Sequence, residues 1–303
     1  RRLLIAVPIT IKSDALGVLL VEEGGGARKL RPRRLEIIQG ISQQVGMAIQ
    51  NDLLQRQTVM RERLETEVAL ARQVQRTFIP EALPGRDGWE LAARWETARQ
   101  VGGDFYDVVE LAGGKLGLFV ADVADKGMPA ALFMALTRTV FRAAVAEFDS
   151  PAQVLAKMNS LLYPDSGQGM FVTAVYAVLD PSSGEVVYAN AGHNPPIWIR
   201  QGGSAEKLGR TMLALGILDA IAAGEGRLRL DRGDALLLYT DGLTEAFSPD
   251  GALFGEGKLL DCVHQVTPQS AEELIARIQS ALWEFVAGDS LQDDLTMLTV
   301  RRQ

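Results

Sequence analysis

Four short acidic segments, far apart in the chain, constrain its fold more than any other feature. They are Gly102-Gly103-Asp104-Phe105-Tyr106-Asp107, Asp122-Val123-Ala124-Asp125-Lys126-Gly127, Tyr239-Thr240-Asp241-Gly242 and Asp293-Asp294-Leu295-Thr296. Each borders an apolar, strand-like run. Asp122 follows Leu116-Gly117-Leu118-Phe119-Val120-Ala121, and Asp241 follows Leu236-Leu237-Leu238-Tyr239-Thr240, whereas Asp104 and the Asp293-Asp294 pair precede their runs. Strand ends of both directions meeting at one sheet edge would gather several carboxylates at one point. Gathered carboxylates repel one another unless a cation lies between them, and oxygen-rich sites suit Mg2+, Mn2+ or Ca2+. Such a site fits metal-activated water attacking phosphorus. Singly, Asp-Gly is also an ordinary turn and Asp-Asp an ordinary cap; the four together carry the reading.

Not every acid in these segments has the same standing. Asp107 is expected on the opposite strand face from Asp104, in a structural role. Asp125 is open between a ligand and a loop carboxylate. The Val123 carbonyl, in the turn after Asp122, is also a possible hard-metal ligand. Ala191-Gly192-His193-Asn194-Pro195-Pro196 reads as a rigid turn around one of the two histidines. His193 is open to two readings, a general acid or phosphate-orienting group, or a residue that hydrogen-bonds the loop in place.

Composition narrows the alternatives. A net charge of −7 with no long basic run argues against a nucleic-acid partner. One cysteine, Cys262, excludes an intrachain disulfide and a thiolate cluster, and two histidines exclude a His-rich zinc site. A reducing, cytoplasmic setting is expected. No signal peptide and no apolar stretch of transmembrane length stands out, so no membrane insertion is expected. The chain opens Arg1-Arg2-Leu3, without Met, and reads as a fragment of a longer protein.

Three regions are expected: residues 1–52, a helical linker over 53–82, and a domain over 83–303. Strands at 3–11 and 16–22, a Gly24-Gly25-Gly26 break and a helix from 32 fill the first. In the linker, Leu53, Gln57, Met60, Leu64, Glu67, Ala71, Val74 and Phe78 form a heptad with six apolar positions of eight. That seam suits a coiled coil between two chains, or else one amphipathic helix packed on its own domain. Pro80 and Pro84 end it. Beyond, strands are expected at 89–98, 105–111, 115–122, 171–179, 185–191, 196–200, 226–231, 234–240 and 295–301. Helices are expected at 129–147, 151–162 and, behind a Ser270–Glu273 capping box, to about 286. Strands in runs with helices in blocks indicate an α+β layered fold.

The motifs resemble a known family. Gly-Gly-Asp-Phe-Tyr-Asp (102–107), Ala-Asp-Val-Ala-Asp-Lys-Gly-Met-Pro-Ala-Ala-Leu (121–132), Ala-Asn-Ala-Gly-His-Asn-Pro-Pro (189–196), Leu-Tyr-Thr-Asp-Gly-Leu-Thr-Glu-Ala (238–246) and Asp-Asp-Leu-Thr-Met-Leu-Thr-Val (293–300) are similar to the SpoIIE/RsbU branch of the PPM metal-dependent serine/threonine phosphatases. Residues 71–84 resemble the helix that precedes the domain in that branch. The resemblance implies a four-layer αββα sandwich with two Mn2+ or Mg2+ ions at one sheet edge. By similarity, Asp122 would bridge the ions, joined by the Val123 carbonyl. Asp104, Asp241 and Asp293, with Asp294 as the alternative, would complete the set. Asp122 and Asp241 would be the catalytic pair, and a hydroxide between the ions would attack the phosphoserine or phosphothreonine phosphorus. The implied substrate is a phosphorylated STAS-domain anti-anti-sigma protein in a bacterial partner-switching pathway. Asp125 departs from the small residue common at that position.

Residues 3–56 resemble the C-terminal part of a GAF domain, which would make the chain a sensor fragment, a dimerising linker and a phosphatase. Rotation of the 68–80 helix against the catalytic sheet would then adjust Asp104 or Asp241. Two rival readings remain: a catalytically silent dimeric scaffold that binds a phosphoprotein, and a hydrolase of small phosphoesters.

Overall fold

The computed structural model describes residues 3–11, 14–23, 32–264, 269–288 and 291–303. The Gly24-Gly25-Gly26 break lies outside them. Two compact units emerge, Arg1–Ala69 and Leu70–Gln303. The first holds an antiparallel hairpin, β1 (Leu3–Ile11) and β2 (Asp14–Glu23), and most of the long helix α1 (Pro32–Arg76). Proline at its first position suits a helix start, since its missing N–H has no intrahelical partner there. At about 1.5 Å per residue the 45 residues of α1 extend roughly 68 Å.

The second unit has two five-stranded sheets. One contains β4 (Phe105–Glu110), β5 (Leu116–Val123), β6 (Val172–Leu179), β7 (Glu185–Ala191) and β10 (Gly226–Arg229), in the order β10-β7-β6-β5-β4. The other contains β3 (Trp89–Glu96), β8 (Ile197–Ile199), β9 (Ala205–Lys207), β11 (Ala235–Tyr239) and β12 (Leu295–Arg302), in the order β3-β12-β11-β8-β9. All pairings are antiparallel.

The central strands are apolar on both faces because both faces are covered. In β5, Leu116, Leu118 and Val120 point between the sheets, where they join Leu236, Leu238, Leu298 and Val300. Phe119, Ala121 and Val123 point outward, to helices α2 (Met128–Glu147) and α3 (Pro151–Leu162). On the far side Leu237, Tyr239 and Met297 meet α5 (Gly255–His264) and α6 (Ala271–Phe285). The result is the helix–sheet–sheet–helix layering expected. Phe119 stacks on Phe141 of α2 at 4.0 Å between centroids, and Tyr176 meets Phe141 edge-on. Truncating Phe141, fully buried, would cost about 3–5 kcal/mol.

Three details differ from expectation. The helix that starts at Pro32 ends at Arg76, not near residue 79, and Phe78 beyond it packs against the α2–α3 core. The strand β9, the short helix α4 (Asp241–Thr244) and the helix α5 are additional elements. Among the described residues, α2 is long and apolar enough to cross a membrane by length and composition. Its apolar face, with Ala130, Met134, Phe141 and Ala144, is buried against the sheet, so core packing accounts for its hydropathy.

Candidate active site

Register brings the four acidic segments together. In the first sheet Phe105 pairs with Ala121, which carries Asp104 and Asp122 to the same end of adjacent strands. In the second, Tyr239 pairs with Met297, and the Thr240 N–H donates to the Thr296 carbonyl. This carries Asp241 and Asp293-Asp294 to one end as well. A cleft of about 550 Å³ opens there, lined by Asp122, Val123, Asp125, Asp241 and Asp293 among others.

Electrostatics records the crowding. Asp104 is buried, and its carboxyl is held well above the usual range by burial first, then by the charges of Asp122 and Asp294. Its Oδ2 is buried without a hydrogen-bond partner. Burial and the neighbouring acids also raise Asp122. Asp241 is pushed up to about 7 by burial, then by Asp122, Asp293 and Glu245. An orphaned buried carboxylate oxygen among repelling acids is a donor set that fits a hard divalent cation.

The two acids of the Asp293-Asp294 pair do different work. Asp294 is buried and accepts from the Ala98 N–H (Oδ1, 2.9 Å) and the Gly103 N–H (Oδ2, 2.9 Å). It is gripped closely: a Cβ at Gly102 would overlap its carboxylate, and one at Gly242 its carbonyl. These close approaches explain glycine at both positions. Burial still raises the Asp294 pKa, although those N–H groups pull it down. Asp293 is more exposed and pairs with Lys126 (Nζ to Oδ2, 2.6 Å).

Among the described residues no three or more carboxylate, imidazole or thiol groups stand ready-arranged to hold a metal. Asp293 faces Lys126, and Asp294 faces backbone N–H groups.

Asp107 lies away from the cleft, as expected. It is fully buried against α2, where Arg142 meets it with two 2.7 Å hydrogen bonds and Arg138 approaches to 3.2 Å. Asp125 lines the cleft in the left-handed region (φ 84°), and its Oδ1 accepts from the Lys126 N–H. Both features belong to the tight turn into α2.

His193 is 1% exposed. Its backbone N–H donates to Asn190 Oδ1 (2.8 Å), its ring Nδ1 lies 2.7 Å from Thr173 Oγ1, and its carbonyl accepts from Arg210 Nε. Burial first drives its pKa down to about 3, with Arg210 adding to the depression. A buried neutral imidazole does not donate a proton near pH 7, so the loop-holding reading is the one its surroundings support.

Sequence reasoning passed over two contacts here. Gln75, at the end of α1 and 4% exposed, hydrogen-bonds the Gly102 peptide. Arg210 lines the cleft from a stretch without any motif. Both depend on partners distant in sequence, and only the burial of a polar residue on a helix face would have hinted at the first.

This double sheet, with carboxylates collected at one end between helical layers, defines a PP2C-type phosphatase domain. The chain belongs to the SpoIIE family, described as stage II sporulation protein E, which matches residues 112–303. It is similar to the protein IcfG of Synechocystis sp. (31% identical over 263 residues, 78% of this chain and 41% of IcfG). It is also similar to the phosphoserine phosphatase RsbU of Bacillus subtilis (28% over 245 residues, 80% of this chain and 72% of RsbU). The chain thus spans less than half of IcfG and about three quarters of RsbU. The solved SiaA-PP2C domain of Pseudomonas aeruginosa superposes with a TM-score of 0.72 at 23% identity, covering 80% of this chain and 99% of that domain.

Proposed function

We propose that this chain is a metal-dependent protein serine/threonine phosphatase acting on a phosphorylated STAS-domain anti-anti-sigma protein. The observation that carries the reading is the convergence of Asp104, Asp122, Asp241 and Asp293 from two sheets, with the carboxyl pKa values of Asp104, Asp122 and Asp241 raised by burial and then by neighbouring acids. Family membership supports the reaction class, and RsbU is itself named a phosphoserine phosphatase.

Asp104, Asp122, Asp241, Asp293 and the Val123 carbonyl would hold two Mn2+ or Mg2+ ions. Bound there, the ions would acidify water and neutralise charge on the phosphoryl oxygens. The remaining work falls to the chain. Asp122 and Asp241 orient the reacting groups from opposite sheets. Asp294 holds the loop that carries Asp104, because its oxygens are already committed to Ala98 and Gly103. That commitment supports Asp293 over Asp294 as the ligand. Lys126 holds Asp293 in place and would yield it to an ion.

Residues 1–52 would be the end of a GAF-like sensor, 53–82 a dimerising linker and 83–303 the phosphatase, in a cytoplasmic protein. The linker seam supports a homodimer: Leu53, Met60, Leu64 and Val74 are each about half exposed or more. Gln75 on Gly102 supports a route from the helix to Asp104.

The test is phosphate release from a phosphorylated STAS-domain protein with Mn2+, in wild type, Asp122→Ala and Asp241→Ala. Turnover that needs the ion and disappears in both variants is expected. Wild type that binds the phosphoprotein without turnover would favour a silent scaffold. Turnover of p-nitrophenyl phosphate alone would favour a small-molecule hydrolase.

A further inference from the structure

The acidic cleft contains a cation that the chemistry above leaves unused. Six lining side chains are carboxylates, and Lys126 and Arg210 are the cations among them. Lys126 is occupied by Asp293 at 2.6 Å. Arg210 has no ion pair among the described residues, although acids surround the cleft it lines. Its one hydrogen bond there runs from Nε to the His193 carbonyl at 3.2 Å.

Arg210 is also well placed mechanically. The next residues are tied to the turn that carries His193: the Thr211 and Met212 N–H groups both donate to the Asn190 carbonyl, at 3.0 and 3.1 Å. Ala191 and Met212 form a bridge, and Gly192 is packed against Ala214. The buried His193 ring and paired prolines stiffen the turn. One edge of the guanidinium is therefore tied to a rigid base, and the two Nη groups of this cleft-lining residue have no hydrogen bond among the described residues. A planar fork of paired N–H donors matches two oxygens of a phosphate group, and pre-orientation reduces the entropy lost on binding. An exposed arginine is usually only a solvated surface group. Placement in a carboxylate-lined cleft, anchorage to a buried turn and lack of an acidic partner set this one apart.

We propose that Arg210 binds the phosphoryl group of the substrate, its guanidinium held by the His193 carbonyl; this rests on the phosphatase reading. It adds a recognition residue outside the carboxylate set. The lysine and arginine side of the cleft would attract a phosphorylated residue that the six acids alone would repel.

The experiment compares wild type, Arg210→Ala, Arg210→Lys and Arg99→Ala, Arg99 being a second cation whose charge reaches Lys126. Binding of inorganic phosphate to the Mg2+-loaded protein is measured by calorimetry, and KM and kcat on the phosphoprotein by phosphate release. Melting temperature checks the fold. Arg210→Ala is expected to weaken phosphate ~10- to 100-fold and raise KM by a similar factor, the size of a lost charged hydrogen-bond pair. Arg210→Lys should recover part of both. Equal phosphate affinity in wild type and Arg210→Ala overturns the proposal, as does wild type that binds no phosphate. A loss confined to Arg99→Ala overturns it as well. A raised KM with unchanged phosphate affinity does the same, by moving Arg210 to the polypeptide around the phosphate. Wild type that hydrolyses no phosphoester, yet loses phosphate binding on Arg210→Ala, removes the phosphatase reading and leaves the anion site standing.

Discussion

The side-chain amide of Gln75 closes on the peptide of Gly102 at two points: Nε2 donates to the carbonyl (2.6 Å) and Oε1 accepts from the N–H (3.2 Å). Gly102 lies two residues before Asp104. Gln75→Ala leaves buried backbone groups unpaired and frees the loop. A stability loss of about 1–3 kcal/mol is expected, with weaker Mn2+ binding measured by calorimetry. Gln75→Glu sets a carboxylate oxygen against the Gly102 carbonyl in a buried place, so it should cost at least as much as Gln75→Ala. Unchanged Mn2+ affinity in Gln75→Ala would disconnect the helix end from the site.

Asp293 and Asp294 should separate by assay. Asp294→Ala strands the Ala98 and Gly103 N–H groups, so urea unfolding should shift by roughly 1–3 kcal/mol before any metal is added. Asp293→Ala removes a part-exposed pair with Lys126 and a local bond from the Asp294 N–H, together worth less in stability, yet should weaken the metal ~10-fold or more. The reverse pattern would make Asp294 the ligand.

Chelation should expose the repulsion among the acids. With EDTA present, Asp241→Asn should melt a few degrees higher than wild type, since it removes a carboxyl whose pKa is raised to about 7 by burial and its acidic neighbours. With Mn2+ the order should invert. Calorimetric scans with and without chelator read this directly.

His193 supplies a pH dependence of opposite sense. Its folded pKa, about 3, lies below the ordinary value of 6.5. The unfolded chain therefore takes up the proton first as pH falls. Its contribution is complete above about 6.5 and is lost as pH drops towards 3, about 2 kcal/mol by pH 5. His193→Gln is expected to be less stable at pH 7 but to lose less between pH 7 and pH 5. Parallel urea midpoints for the two proteins over that range would rule this out.

The α1 seam predicts self-association. Sedimentation of wild type should give a dimer, and Leu64→Glu a monomer with intact secondary structure. If Leu64→Glu breaks the dimer and leaves phosphatase activity unchanged, coupling from linker to site is wrong.

The sequence showed the strand ends well because β5 and β11 are covered on both faces, and unbroken apolar runs ending in Asp122 and Asp241 are hard to miss. It showed α2 for a similar reason. The Ser270 side chain accepts from the Glu273 N–H as a cap should, while Glu273 reaches back to the Gln269 N–H. Other features had no local signal. The helix α5 opens with Gly255 and Gly257, which mask its periodicity. The strand β9 is three residues long and largely polar. The Gly103–Asp294 bond joins residues 191 apart, so no window of sequence contains it.

Asp294 immediately precedes β12 in one sheet and holds the backbone that crosses from β3 into β4 of the other. It is a rivet between layers whose shared interior is oily and non-directional, with Trp95, whose Nε1 donates to the Asp104 carbonyl, as a second tie at that end. Sliding of the sheets at that end would have to shear these hydrogen bonds, so slow amide exchange should persist at Gly103 after nearby surface amides have exchanged. Drift at position 102 or 242 would loosen the rivet from either side, which ties the tolerance of two distant glycines to one carboxylate.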